Sequence, residues 1–312
     1  MFNLFKKKQK SCLGIDLGST GIKIVELSRE KERVYLSNYV LAQTKIGSTF
    51  NVVRQDPNEL ASLLDILFEK SGIRTRQAVI SLSAGDTFST IIDLPSMSEN
   101  ELNQAIPYEA RKYVPVPIED VALDWSVVGE FASAEAPEQP MAVAKTTQIL
   151  LVAVPQDVIK KIVQIAKKTN LEVLAVEQES FSIIRALIGN DQGGYLIIDI
   201  GESSIDLIIM DQGAIRIIHT LEKSKPEDLG LEASKIIDLY QNRYQKKITK
   251  VILTGGGITQ PQWQEALIRQ LGIEVGMGNP FARINCDPAL ASALQEISSF
   301  MSVAVGGAMR EI

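Results

Sequence analysis

Residues 13–27 read LGIDLGSTGIKIVEL and residues 196–210 read LIIDIGESSIDLIIM, a repeat at a constant offset of 183 residues. Ile15, Asp16, Gly18 and Ile22 recur as Ile198, Asp199, Gly201 and Ile205, and Thr20 faces Ser203. Each copy predicts a strand ending in Asp, a tight turn of small residues, and a second strand. A strand–turn–strand unit duplicated this far apart predicts two lobes, each built around one copy. The copies carry opposite charges at one place, where Lys23 stands opposite Asp206 in the alignment.

The rest of the chain agrees with two lobes. Its 312 residues are 45% hydrophobic and 22% charged, with 21 Gly and 12 Pro, a composition that folds and has no collagenous or disordered bias. At ~150 residues per domain, the length fits two. The net charge of -6 excludes the basic face of a nucleic-acid binder. Two cysteines, Cys12 and Cys286, are too few and too far apart for a disulfide framework or a zinc site, and read as buried free thiols. No uninterrupted apolar run approaches the ~18 residues of a membrane span, and MFNLFKKKQK lacks a signal-peptide core, so a cytosolic location is expected. Lys6, Lys7, Lys8 and Lys10 behind Phe2, Leu4 and Phe5 form either a solvated tail or a weak membrane-surface contact, at ~1 kcal/mol per lysine.

Patterning predicts an antiparallel meander over Cys12 to Leu17, Ile22 to Ser28 and Val34 to Ala42. A helix over Pro57 to Ser71 would bury Leu60, Leu63, Leu64, Leu67 and Phe68, and a strand over Ala78 to Ser83 follows. An inserted unit spans 85–170: strands Phe88 to Leu94, Val121 to Val128 and Ile149 to Val154, and helices from Ser98 to Tyr113 and Pro155 to Thr169. Ser98 with Glu101 is a capping box, and VPVP stops that helix. Ala132 to Thr147 reads as an exposed loop, Leu171 to Val176 as a strand and Glu179 to Ile188 as a helix. The domains are therefore a tail (1–10), a first lobe (11–84 with 171–193), the insert (85–170), a second lobe (194–298) and a C-terminal helix (299–312).

The repeated hairpins suggest chemistry. A turn of small residues presents N–H groups and hydroxyls that suit phosphate oxygens, and an Asp at the strand end supplies oxygen to a hydrated Mg²⁺. Two such hairpins across a cleft would grip a phosphate chain from both sides, with Lys23 as a point cation. The strand Val251 to Thr254 runs into Gly255, Gly256 and Gly257 and then a helix, a turn that admits close approach of a flat ligand such as adenosine. His219 has no partner at ligand spacing and reads as structural, as Met301 and Met309 read as packing residues.

In this order, the two DxG hairpins and the GGG turn resemble the actin, Hsp70 and sugar kinase superfamily. The stretches ELNQAIPYEARKYVPVPIEDVALDW, VEQESFSIIRAL, GNPFARI and SFMSVAVGGAMR are similar to PilM, the actin-like family of type IV pilus assembly, and less so to the related FtsA. The resemblance implies an α/β, two-lobed actin-like (ribonuclease H-like) ATPase fold with an α+β subdomain inserted in the first lobe. It implies ATP and Mg²⁺ as ligands. Asp16, Gly18, Ser19, Thr20 and Lys23 would form the first phosphate loop, and Asp199, Gly201, Ser203 and Ser204 the second. Gly255, Gly256 and Gly257 would contact adenosine, Asp16 and Asp199 would hold the metal, and Glu179 would orient water. Glu177 or Gln178 would serve instead if the alignment slips, and an acidic helix cap is the other reading of Glu179.

The implied partner is the cytoplasmic N-terminal peptide of PilN, in a groove between the first lobe and the insert, within the inner-membrane pilus assembly complex. The chain departs from the superfamily between His219 and Gly230, where TLEKSKPEDL replaces a longer helical subdomain, so this subdomain is much reduced and a nucleotide would be more exposed. Glu202 adds a negative side chain to the second loop. Three functions stay open: an ATP-binding adaptor with at most weak ATPase activity, a small-molecule kinase of the same superfamily, and a scaffold that binds no nucleotide.

Overall fold

The computed structural model describes residues 10–18, 21–43, 55–132, 145–222, 225–258 and 262–312. The predicted tail before residue 10, Ser19 and Thr20, and most of the predicted loop at 132–147 lie outside these residues.

Thirteen strands and seven α-helices are present among the described residues. In the first lobe β1 (Lys10–Gly18), β2 (Gly21–Glu30) and β3 (Arg33–Gln43) form the predicted meander, and β4 (Gln77–Leu82) and β8 (Glu172–Gln178) extend it in parallel. The sheet order is β3-β2-β1-β4-β8. In the second lobe β9 (Tyr195–Ile200), β10 (Ser204–Asp211), β11 (Ala214–Glu222), β12 (Lys250–Thr254) and β13 (Val275–Met277) run β11-β10-β9-β12-β13, the same order and directions. The sequence repeat is thus the seed of a duplicated sheet.

Each sheet is covered on both faces, and the period of two along β1 shows how. Leu13, Ile15 and Leu17 face α1 (Pro57–Ser71) and α3 (Gln156–Thr169) in one core cluster. Gly14 faces the opposite way, where a Cβ would lie 1.8 Å from the Ala304 carbonyl oxygen of α7 (Ala291–Met309), so only glycine lets this helix lie on the strand. Leu196, Ile198 and Ile200 of β9 likewise face α5 (Pro226–Tyr244) and α6 (Gln262–Leu271), while Ile197 joins Ile183, Ile208 and Val303 in a cluster shared by both lobes. Burial of each such side chain stabilises by roughly 1.5–3 kcal/mol.

Local chemistry sets the ends of α1. Asp56 caps it by accepting from the Asn58 and Glu59 N–H groups, Pro57 opens it, and Gly72 at φ 73° closes it. Leu63, predicted in its buried stripe, is instead 39% exposed at the stripe's border.

The insert is a three-stranded sheet, β5 (Phe88–Pro95), β7 (Lys145–Pro155) and β6 (Val121–Ala132) in the order β5-β7-β6, with α2 (Glu99–Ala110) on one face. The Ser98–Glu101 capping box is formed. The insert's predicted second helix belongs elsewhere: α3 buries Val158, Ile162 and Ile165 in the core of the first lobe. An amphipathic stripe shows that a helix covers a sheet, and says nothing of which sheet.

Two helix starts also differ from expectation. α5 begins at Pro226, where the fixed φ of proline suits a first turn, so Gly230 lies inside the helix. Only three residues separate β11 from α5, which leaves no room there for a helical subdomain. The C-terminal helix starts at Ala291, not 299, because Asp287 caps a short turn at Pro288–Leu290 that leads straight into it. The segment Pro288–Met309 has the length and mean hydropathy, 1.2, of a membrane span, which no uninterrupted apolar run had suggested. Residues 301–308 of α7 are buried against β1, β2 and α4 (Glu179–Leu187).

Candidate functional site: a buried carboxylate cluster between the lobes

Register explains the geometry of the two hairpins. Asp16 lies directly opposite Lys23 across β1 and β2, and the lysine Nζ stands 3.0 Å from the carboxylate with both side chains buried. In the second copy the residue opposite Asp199 is Asp206. Like charges facing each other across two strands repel, so the second hairpin buries a conflict that the first resolves.

Glu179 of α4 reaches the same place. Its carboxylate accepts the Ala84 N–H at 2.6 Å, which bridges α4 to the turn after β4, so it does not cap its own helix. Oxygens of Glu179, Asp199 and Asp206 all lie within 4.8 Å of one another. Four buried carboxyls, Asp16, Glu179, Asp199 and Asp206, therefore meet one buried lysine.

The titration of these groups follows from that imbalance. Burial raises Asp16, against the pull of Lys23. Burial and then the Asp206 and Asp16 charges push Asp199 from 3.8 to about 7. Burial also raises Asp206, partly offset by hydrogen bonds from Thr220 and Glu179. Glu179 is raised well above the usual carboxylate range, by burial and by Asp206, Asp199 and Asp16 in that order. A side-chain hydrogen bond links it to Asp206.

A divalent cation fits this donor set. Asp16 Oδ1 is buried with no hydrogen-bond partner, and hard cations take several carboxylate oxygens. Asp206, which sequence reasoning did not place in the site, is thereby a candidate ligand; its signal was the Lys23/Asp206 difference between the repeats. A Cβ at Gly18 would lie 2.8 Å from Asp16 Oδ1 and one at Gly255, at φ 106°, 2.4 Å from Asp199 Oδ1, so both glycines leave the carboxylates their space.

Asp16, Gly18, Lys23, Glu179, Asp199, Gly201, Gly255 and Gly256 surround one small cavity; Ser203, Ser204, Gly257 and Glu202 do not line it. Ser299, Phe300, Ser302 and Val303 of α7 close it, residues with no signal in the repeat. Its volume of about 30 Å³ holds a water or an ion and not a nucleotide. The N–H groups of Gly201, Gly255 and Gly257 donate to Ser204, Ser299 and Ile200 carbonyls respectively, and are engaged within the protein.

Of the two residues before Glu179, Glu177 is engaged elsewhere, while Gln178 leaves its buried Oε1 without a partner. Glu177 receives hydrogen bonds from Ser182, Arg185 and Arg310, which hold its carboxyl below the usual range despite burial. It ties β8, α4 and the residue after α7 together. Gln178 precedes α4 as its N-cap residue, without a side-chain capping bond. Cys12 is buried and free, its thiol pushed up to about 11 by burial, and Cys286 is a partly buried free thiol. His219 lies within β11 opposite Leu207, and Met301 is fully buried.

Two lobes of one topology, with hairpin carboxylates facing each other across a cleft, define an actin-like fold. The family model described as type IV pilus assembly protein PilM matches residues 14–224, and the chain belongs to that family. A solved PilM–PilN type IV pilus biogenesis complex aligns with TM-score 0.77 over 96% of this chain and 98% of that one, at 22% identity. The ethanolamine utilization protein EutJ from Carboxydothermus hydrogenoformans aligns with TM-score 0.54 over 96% and 89%, at 13% identity.

Proposed function

We propose that this protein is a cytoplasmic adaptor of type IV pilus assembly, which holds the N-terminal peptide of the inner-membrane protein PilN and binds Mg·ATP between its lobes. The observation that carries the reading is a groove of about 310 Å³ between the insert and the first lobe, with Trp125, Val152, Val154, Val176 and Phe181 among its walls. It lies beside β6, an edge strand that pairs only with β7 among the described strands. An extended peptide there gains main-chain hydrogen bonds from the strand and apolar pockets for its side chains. The whole-length likeness to a PilM–PilN complex supports PilN as the donor of that peptide.

In the cleft, Asp16, Asp199 and Asp206 would hold Mg²⁺, and Lys23 would sit near the phosphates. Bound ATP and Mg²⁺ supply the phosphoryl group and its charge neutralisation. Burial and the neighbouring Asp206, Asp199 and Asp16 charges raise the proton affinity of Glu179, which opposes its service as a base toward water. Titration of the cognate PilN peptide by calorimetry, with and without Mg·ATP, tests the adaptor; absence of heat under both conditions overturns it. A rise in melting temperature with Mg·ATP, lost in Lys23→Ala and Asp16→Ala, tests the nucleotide.

A second reading, a scaffold without nucleotide, is favoured by the small cavity and the engaged glycine N–H groups. No shift at saturating Mg·ATP would establish it.

A further inference from the structure

We infer that the peptide seat crosses both lobes, and that the second lobe supplies a pocket for one bulky apolar side chain of the bound peptide. The inference rests on the adaptor reading above and adds residues to its binding site.

Three residues of the 310 Å³ groove, Ser126, Leu150 and Phe181, also line a second cavity of about 380 Å³, so the two adjoin. The second cavity is walled by Ile184 of α4 on the first-lobe side and by Met210, Ala214 and Ile215 of the β10–β11 hairpin on the other. Gly213, at the hairpin turn with φ 73°, and Gly189, at φ 66°, add no side chains to the space. The lining is mostly apolar, with Arg185 and Ser126 as its polar members, and includes a methionine, a side chain that adapts to irregular partners.

The path of an occupant is set by β6. Pairing along this edge has no competitor among the described strands until the register shifts between Val127 and Gly129. At that bulge the Val128 carbonyl already accepts from Arg216 of β11, in the second lobe. A peptide paired with β6 along residues 122–126 therefore loses its ladder at Val128 and is turned off the strand. The space it enters there is the second cavity. Volumes in this range suit a large aliphatic or aromatic side chain, and an apolar anchor in a desolvated pocket is where binding energy concentrates.

The test uses the full chain and a synthetic peptide of the cognate PilN cytoplasmic N-terminus. Ala214→Trp fills the cavity from the second lobe, away from the cleft carboxylates and the β6 edge. Peptide affinity is expected to fall tenfold or more, while the melting temperature stays near that of the wild type. If the wild type binds and a folded Ala214→Trp binds equally well, the second-lobe pocket is wrong and the adaptor reading stands. If the wild type does not bind, the adaptor reading itself fails. A readout independent of any protein variant places benzophenone at each apolar position of the peptide in turn. One position should crosslink to residues 210–215 of the wild-type chain; labelling confined to 122–181 overturns the inference.

Discussion

Replacing Asp199 by Asn tests whether the cleft stores electrostatic conflict. Asp199 has its carboxyl raised from 3.8 to about 7 by burial and by the Asp206 and Asp16 charges. At ~1.4 kcal/mol for each tenfold change in proton affinity, this is on the order of 4 kcal/mol. The folded state holds a proton that the unfolded state releases between pH 4 and 7, so stability falls as pH rises through this window. Above it the full cost is present, and below the unfolded value it vanishes. Asparagine, of the same shape and uncharged, removes the cost. In metal-free buffer the variant should therefore gain up to about 4 kcal/mol at pH 8 and almost nothing at pH 4. Urea unfolding at both pH values, followed by the fluorescence of Trp125 and Trp263, measures the difference. A variant less stable than wild type at pH 8, or shifted equally at both pH values, would refute the buried-charge account. Mg²⁺ alone should stabilise the wild type more at pH 8 than at pH 5, since a cation there replaces protons.

Three further substitutions probe the frame. Gly14→Ala puts a methyl 1.8 Å from the Ala304 oxygen and 2.4 Å from the Ala308 nitrogen, backbone that cannot swing away, and should cost about 3 kcal/mol or more in urea unfolding. Glu177→Gln removes the negative charge and one of the two acceptor oxygens that Arg185 and Arg310 share and should cost about 1–3 kcal/mol at pH 7. Because the Glu177 carboxyl is lowered in the fold, that contribution is present above pH 4.5 and lost as pH falls through its folded value, so wild type and variant should converge in acid. Arg243→Ala breaks a pair with Asp93 in which both side chains are more than 40% exposed, and its melting temperature should move by less than the equivalent of ~1 kcal/mol.

The duplicated hairpins were legible because they are local: Asp, Gly and alternating apolar residues within fifteen positions state strand, turn and face together. They led to Asp16, Lys23 and Asp199. Asp206 was visible as the odd charge of the second copy, yet its role needed the register that sets it opposite Asp199. Glu179 had a sequence signal only through resemblance, and its raised proton affinity could be read only once three other carboxyls stood beside it. Ser299, Phe300, Ser302 and Val303 carry no mark of a site, because they reach the cleft through helix packing across almost the whole chain. The placement of α3 failed for the same reason: an apolar stripe names a need for burial and leaves the partner to topology.

The helix that walls the cleft has a consequence for synthesis. Ala304 and Ala308 of α7 lie on Gly14, near the opposite end of the primary structure, and Met301, Ala304 and Val305 complete one face of the first sheet. While the ribosome is still making the second lobe, the first therefore has a bare side. The second sheet has α5 and α6 in place by then and waits on α7 for the contact of Val303 alone in its shared cluster. The half that is translated first is the half that matures last, and until residue 308 emerges it is open to chaperones.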